Sequence, residues 1–585
     1  MSELNSVILM GMVEPAHDRI NMLSEDNSDM RNFWEADANV TARTFPRPRR
    51  LACGDHRACG QGAPAMTATV DLSAFPRRIH HMIDHWRQQR AEALAVTDHD
   101  GRRLSYANFG AAVDDAETML RDAGVRGGDR VLIVNENCTA TAAFLFACSR
   151  LDAWAVLLNA RLAAPEVDRI RDHCGPRAMV FTHACSPDAA AHGVRLGAAE
   201  TTSPQFGPVL IAGHRDVTPE PVDDTPADQV AAMIYTSGTT GQPKGVMLTH
   251  QNVLYIAIVS GRNRALQAAD RVYAVLPISH VFGLAATVLG TFHAGGEVVM
   301  VPRFNAGHLA DALADGVTVF QGVPAMYAKL LEHLERHGRA LKAPRLRYMS
   351  SGGAPLDIDW KRRIEARFGL TLNNGYGLTE ASPTIAQTLI HSPRDDDSIG
   401  PPLEGLETRI VGPEGQDMPQ GTVGDLWVRG PTIMKGYYRA PQATRAAVTE
   451  DGWLKTGDLC RQDESGALFL VGRSKELIIR SGFNVYPPEV ETALNAHPDV
   501  TLSAVVGRRV PGNEEVIAFV ETSPGSTVDE DALSAFVAEK LAAYKRPQRI
   551  FIVDALPASA TGKIQKHLLA RLAETPTTDP QESRP

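Results

Sequence analysis

From Gly128 onward the chain alternates short apolar runs with helix-length amphipathic segments, and that alternation limits the fold more than any other feature. Val131 to Val134 reads as a strand, Thr139 to Arg150 as a helix, Ala155 to Leu158 as a strand, Pro165 to His173 as a helix and Met179 to Thr182 as a strand. Strands separated by helices must run parallel, because a parallel neighbour needs a crossover long enough to return to the same edge. The pattern recurs at Val272 to Leu276, Glu297 to Val301, Val317 to Gln321 and Leu346 to Met349, with Met326 to His337 as an intervening helix. A second α/β layer is expected.

Between about Gly405 and Gly472 the helical segments thin out. Short β-like runs at Thr408 to Val411, Asp425 to Val428 and Leu468 to Val471 are punctuated by glycine and proline, which predicts a small β subdomain. Beyond Arg473 come strands at Leu502 to Val506 and Val516 to Val520 and a helix from Asp529 to Leu541. The fold class is therefore α/β: a large N-terminal domain of two parallel-type layers plus a β subdomain over residues 66–472, a hinge at 473–475 and a smaller, mobile α+β domain over 476–572. Residues 573–585 are read as a loose tail. Residues 1–65 show no useful periodicity and are read as a poorly ordered extension, with Met66 just ahead of the first patterned segment.

With 585 residues and 44% hydrophobic content the chain fills more than one core. Its 69 acidic and 59 basic residues are dispersed, for a net charge of −10, without the basic run that nucleic acid or an anionic membrane surface requires. The seven cysteines lack paired CxxC spacing, so neither a zinc site nor a disulfide framework is expected. A reducing, cytoplasmic setting fits them. Glu3 stands where a signal peptide would carry positive charge, and no apolar run reaches the roughly 18 residues of a membrane span.

The segment most informative about chemistry is Tyr235-Thr236-Ser237-Gly238-Thr239-Thr240-Gly241-Gln242-Pro243-Lys244-Gly245. Alternating hydroxyl and glycine residues let backbone N–H groups converge on a phosphate, and Lys244 adds a point charge. It is not a Walker loop, since Pro243 separates the last glycine from Lys244 and Val246 to Thr249 reads as a strand. A Ser/Gly-rich hairpin turn is the bland alternative. This run resembles the hallmark of the adenylate-forming superfamily, which holds acyl-CoA synthetases, peptide-synthetase adenylation domains and firefly luciferase. The resemblance spans roughly Leu72 to Arg571.

The other motifs arrive in the order that this resemblance implies. Ser351-Gly352-Gly353-Ala354-Pro355 and Asn374-Gly375-Tyr376-Gly377-Leu378-Thr379-Glu380 each follow a predicted strand and open onto one crevice. By resemblance, the first turn and Tyr376 flank an adenine, Thr379 meets the α-phosphate, and Glu380, with Thr236, holds magnesium. Asp458 accepts from the ribose hydroxyls and Arg473 backs it. Lys563, in Thr561-Gly562-Lys563-Ile564, is the cation that bridges carboxylate and α-phosphate, and Lys475 is the hinge residue. Gly482 and Phe483 line the coenzyme A channel, where Ser481 departs from the two glycines that the family often has.

His280 is a candidate gate to an acyl pocket walled by Phe282, Gly283, Ala286, Gly322, Gly353, Gly375 and Ala381. A buried core histidine is its plain alternative. No arginine stands among these wall residues, and no Asp or Glu lies between Val272 and Gly296 to pair an amine. The expected activity is ATP-dependent ligation of an apolar monocarboxylate, fatty or aromatic, to coenzyme A, with ATP, magnesium and coenzyme A as co-reactants, no nucleic-acid partner and a homodimer as an open option. Loading of a carrier protein, or nucleotide binding without turnover, are the rival readings.

Overall fold

The computed structural model describes residues 70–213, 216–237, 243–511, 513–523, 525–558 and 564–574. The expected extension over 1–65 and the end of the expected tail lie outside them. The first described element is a single turn of 3-10 helix at Leu72–Ala74, whose N-cap carboxylate, Asp71, accepts from the Ser73 N–H.

Two eight-stranded sheets dominate the remainder. In one the order is Thr384–Gln387, Leu372–Gly377, Tyr348–Gly352, Val319–Gly322, Arg271–Ala274, Glu297–Met300, Leu94–Thr97, Arg103–Ser105; in the other it is Gly436–Tyr437, Pro243–Thr249, Val230–Ser237, Trp154–Asn159, Arg130–Asn135, Ala178–Phe181, Gly207–Ala212, Ala199–Ser203. The central strands of both are parallel, as the alternation predicts. Arg130–Asn135 is buried at every position, the pattern of a strand covered on both faces. The edges are antiparallel, which the sequence reading did not foresee: Val230–Ser237 turns directly into Pro243–Thr249, and so short a connection permits only an antiparallel partner.

Helices meet between the two layers. Helix Thr139–Arg150 is buried along nearly its whole circumference, so it has no solvent face to present. Its Phe146 ring packs edge-on against Phe292, which stacks on Phe109 at 5.0 Å. Beside this apolar contact, Asn137 spends its whole amide on tying the layers together: Nδ2 donates to the carbonyls of Ala274 (2.8 Å) and Leu276 (2.9 Å), and Oδ1 accepts from Ile278 N–H (2.8 Å). A buried amide satisfied at three points fixes the loop after Arg271–Ala274, which leads into the candidate acyl wall. That wall is not plain α-helix. Ile256–Ser260 and Phe282–Leu289 are both π-helical, a geometry concentrated at functional sites.

The β subdomain is a four-stranded antiparallel sheet, Glu407–Val411, Gly424–Arg429, Leu454–Gln462, Leu468–Arg473. Strict alternation of burial along Gly424–Arg429 gives it one core face, closed by Leu426, Val428, Leu454 and Leu468. After it come the hairpin Ile478–Arg480 and Phe483–Val485, the three-stranded sheet Val500–Val510, Asn513–Thr522, Arg549–Val553, and helices at Pro487–Asn495, Glu530–Ala538 and Lys566–Glu574. The last helix buries Ala573 and continues through Glu574, beyond the expected start of the tail.

Candidate active site

Strand ends converge on the site from both halves of the sequence. Gly352 and Gly375 are register partners in adjacent parallel strands, so their turns leave the same sheet edge side by side. Gly353 adopts φ +76°, a backbone state open to glycine, and starts the exposed Gly353–Pro355 turn. Gly377 is needed for another reason, since a Cβ there would sit 1.9 Å from the Pro383 carbonyl oxygen.

Two linked clusters line this edge. In the first, Asp458 and Arg473 are cross-strand partners, with Arg473 Nε 3.0 Å from Asp458 Oδ1. Tyr376 Oη donates to Asp458 Oδ2 at 2.5 Å. Burial, and then the Asp458 charge, raise the Tyr376 phenol well above its ordinary value, so it stays a donor. Burial alone would lower Arg473, but the charges of Asp458 and Glu476 hold its guanidinium above the ordinary value. The predicted adenine aromatic and the predicted ribose carboxylate are thus one hydrogen-bonded unit.

The second cluster depends on a residue the sequence reading missed. Tyr437 Oη donates to Glu380 Oε1 at 2.7 Å, and the Lys244 ammonium lies 4.8 Å from the centroid of the same ring. Tyr437 reaches this place because the two-residue strand Gly436–Tyr437 pairs with Val246 and Met247, while the Met434 N–H donates to the Glu380 carbonyl. Thr236 is the register partner of Lys244, so both residues stand on one face of the hairpin, one pair away from its connection at 238–242. Ser237 ends its strand, and Gly238, Thr239, Thr240 and Gly241 lie outside the described residues. Thr379 and Ala381 belong to a 3-10 turn with Glu380.

Carboxylate and hydroxyl oxygens are the donors that magnesium prefers, and Glu380 and Thr236 supply them without a thiol or imidazole in this cluster among the described residues. The donor set fits that ion.

The candidate acyl-wall residues separate into two groups. Phe282 lies against the strand ends, its Cε1 3.0 Å from where a Gly352 Cβ would stand, and partly exposed His280 accepts the Phe282 N–H on Nδ1 at 3.3 Å. Gly375 is partly exposed beside them. Other wall candidates face the protein. A Cβ on Gly283 would meet the Pro277 and Leu276 carbonyls at 2.2 and 2.4 Å, and one on Gly322 would meet Phe320 at 2.9 Å, so both glycines serve close packing. Ala381 is fully buried in the core shared with the β subdomain. Ala286 is buried, and its carbonyl accepts from the buried Arg264 at 2.5 Å, an arginine that is not itself among the wall residues.

Lys475 lies in the exposed turn Arg473–Glu476, where Ser474 Oγ donates to Asp425 and Ser474 N–H to the Gly457 carbonyl. Gly482 (φ +81°) and Ser481 (φ +52°) make the turn of the following hairpin. Ser481 is held in that left-handed state by Asn513, whose Oδ1 accepts its N–H at 2.6 Å. Phe483 is exposed and stacks on Tyr544 at 4.7 Å. Lys563 lies outside the described residues; the segment around it is flanked by the Ala558–Ile564 bridge, and Lys566 joins Glu476 and Glu491 at 3.2 and 2.8 Å.

Known proteins resemble the chain over most of its length. The family model described as AMP-binding enzyme matches residues 83–438, and that for the AMP-binding enzyme C-terminal domain matches 489–563. A feruloyl-CoA synthase from an Amycolatopsis species is 36% identical, over 85% of this chain and 97% of its own. 4-Coumarate–CoA ligase 3 of Oryza sativa subsp. japonica is 33% identical, over 83% and 90%. Among solved structures, ATP-bound MatB from Rhodopseudomonas palustris superposes with TM-score 0.74 at 31% identity, over 84% of this chain and 98% of its own. o-Succinylbenzoate CoA synthetase of Bacillus subtilis, in complex with its acyl-adenylate intermediate, gives 0.70 at 28%, over 83% and 97%.

Fold and site together define an adenylate-forming acid–thiol ligase, which draws on ATP, magnesium and coenzyme A. Within that class the chain belongs to the AMP-binding enzyme family.

Proposed function

We propose that the crevice activates an apolar, preferentially aromatic, monocarboxylate and passes the acyl group to free coenzyme A. The observation that carries this reading is the open, partly exposed edge at Gly375 beside the Phe282 ring, next to a ribose site built from Tyr376, Asp458 and Arg473. The feruloyl and coumarate specificities of two relatives support the aromatic preference.

In the first half-reaction a carboxylate oxygen attacks the α-phosphorus, a P–O bond forms, and pyrophosphate leaves with the electron pair of the broken bond. Bound magnesium would offset the phosphate charge, held by Glu380 and Thr236. Lys244 and the predicted loop from Thr236 to Gly241 hold the triphosphate, Thr379 meets the α-phosphate, and Lys563 steadies the charge that builds as carboxylate and phosphate meet. Asp458 holds the ribose while Arg473 and Tyr376 orient it. In the second half-reaction the thiol sulfur attacks the acyl carbon, AMP departs, and the thiol proton passes to solvent. Rotation about Lys475, at the proposed boundary over residues 473–475, exchanges Lys563 for the Gly482–Phe483 face.

Coenzyme A is preferred to a carrier protein as acceptor, and a cytoplasmic enzyme agrees with the five free cysteines among the described residues. The test is thioester formation from a panel of acids with ATP, magnesium and either free coenzyme A or a phosphopantetheinyl carrier. Product with coenzyme A alone is expected; product with the carrier alone would overturn the acceptor assignment.

A further inference from the structure

The hairpin formed by Val230–Ser237 and Pro243–Thr249 has two faces with different neighbours. Side chains alternate along a strand, so the face that holds Thr236 and Lys244 also holds Tyr437, the register partner of Val246. The opposite face holds Tyr235, its register partner Gly245, and Tyr438, whose N–H donates to the Gly245 carbonyl at 2.8 Å. Each of the three crevice residues therefore has its immediate chain neighbour behind the sheet.

Two of those neighbours meet one side chain from outside the hairpin. His173, in the last turn of helix Ala164–Cys174, shares a hydrogen bond of 2.6 Å between its Nδ1 and Tyr235 Oη. Its ring stands edge-on to both tyrosines, at 86° to Tyr235 and 89° to Tyr438, with centroids 5.7 Å apart in each case. Glycine at 245 leaves the Tyr235 ring its place, since a Cβ there would come within 3.1 Å of the ring's Cζ. Tyr438 is fixed further by its hydroxyl, which donates to Glu220 Oε1 at 2.6 Å, and by the Trp154 ring at 5.8 Å. Burial holds the Tyr235 phenol above its ordinary value, while burial, then the Arg439 charge, hold the His173 imidazole below its own, so the bond joins two uncharged groups near neutrality. His173 belongs to none of the motifs that mark the site in the sequence.

We propose that His173 is a positioning residue for adenylation, which holds Tyr235 and Tyr438 from behind the hairpin and so fixes how Thr236, Lys244 and Tyr437 are presented to the triphosphate. The inference rests on the adenylation reading above and extends it to a residue on the far face of the sheet. A donor or cation aimed at developing charge loses effect when its support loosens, so the consequence falls on the step that breaks the triphosphate. An acyl-adenylate has already lost its β- and γ-phosphates, and thioester formation from it makes no such demand.

The test uses His173→Phe, which keeps a ring and loses the hydrogen bond; His173→Asn, whose amide can stand at the Nδ1 position; Tyr235→Phe; and the double Phe variant. Acid-dependent pyrophosphate exchange in His173→Phe should fall about threefold to tenfold, the size of one neutral hydrogen bond, with KM for the acid unchanged. Thioester formation from added acyl-adenylate should stay within about twofold of wild type, and His173→Asn should recover most of the lost exchange. Because the two groups make one bond, Tyr235→Phe should lose as much, and the double variant no more than either single one. Tyr235→Phe also keeps the test available should the His173 variants fail to fold. Wild-type exchange in both single Phe variants, equal loss in both half-reactions, or losses that add in the double variant overturn the inference and leave the adenylation reading intact; a wild-type enzyme without acid-dependent exchange overturns that reading, and the inference with it.

Discussion

Tyr437 donates its hydroxyl hydrogen to Glu380 Oε1 across 2.7 Å while its ring faces the Lys244 ammonium at 4.8 Å, so one side chain orients both an anionic and a cationic element of the phosphate site. Burial, then the Glu380 charge, raise its phenol and keep it protonated. Tyr437→Phe should keep the cation–π contact and lose only the bond to Glu380. A hydrogen bond to a charged group contributes about 1.5–3 kcal/mol, so adenylation should slow roughly tenfold to a hundredfold, with Tyr437→Leu slower still. Pyrophosphate exchange measured against magnesium and ATP concentration checks this, and equal rates for Phe and Leu would remove Lys244 from the argument.

Asp458 accepts from Tyr376 on one oxygen and from Arg473 on the other. Asp458→Asn leaves the shape intact but removes the charge that offsets Arg473 and accepts from the ribose. KM for ATP should rise by about tenfold or more, with a smaller effect on KM for the acid. Steady-state kinetics in both substrates separates the two.

Acid should destabilise the enzyme through a set of buried and partly buried imidazoles. Burial, reinforced by neighbouring His81, Arg150 and Arg78, lowers His80 to about 2; burial, then His293, lowers His85 to about 4; and burial drives His250 well below 6.5. Unfolded, each would take up a proton near 6.5. As pH falls from 6.5 towards 4 the unfolded chain therefore binds protons that the folded one refuses, and stability is lost in that window. Melting temperature should be highest near neutral pH and fall by several degrees by pH 5, and a flat profile from 7 to 5 would contradict this.

The two half-reactions should separate by mutation. Lys563→Ala should block adenylation by roughly 10²- to 10³-fold while sparing thioester formation from added acyl-adenylate, and Lys475→Pro should do the reverse. Parallel single-turnover assays of each step decide it; equal loss of both steps in each variant would contradict a swing about residue 475.

Much of the layered architecture was legible because periodicity reports burial. Helix Thr139–Arg150 falls where the pattern puts it, and Ala164–Cys174 within a residue of the expected bounds. Antiparallel edges were hidden because a hairpin strand and a crossover strand share one apolar signature. The π-helical turns were hidden too, since Phe282–Leu289 is apolar all round and carries no period that separates π from α.

In the site, motif residues were readable where backbone geometry imposes a residue type, as at Gly353 and Gly377. At Gly283 and Gly322 the fold gives glycine a reason that smallness in the sequence does not reveal, since a Cβ there would meet a carbonyl or a ring. Tyr437 sits 57 residues from Glu380 in a strand of two residues, too short for any pattern, although the adjacent pair Tyr437-Tyr438 after Gly436 was the one available signal. His173 and Tyr235 meet across 62 residues, a contact that only the folded sheet creates.

Acid-dependent exchange of labelled pyrophosphate into ATP most directly tests whether this crevice forces a carboxylate against the α-phosphate. The account predicts exchange that requires magnesium, proceeds without coenzyme A, is strongest with an aryl acid and is abolished in Lys563→Ala. Absence of exchange with every member of a broad set of fatty and aryl acids, from protein that is folded by its melting transition, would contradict it.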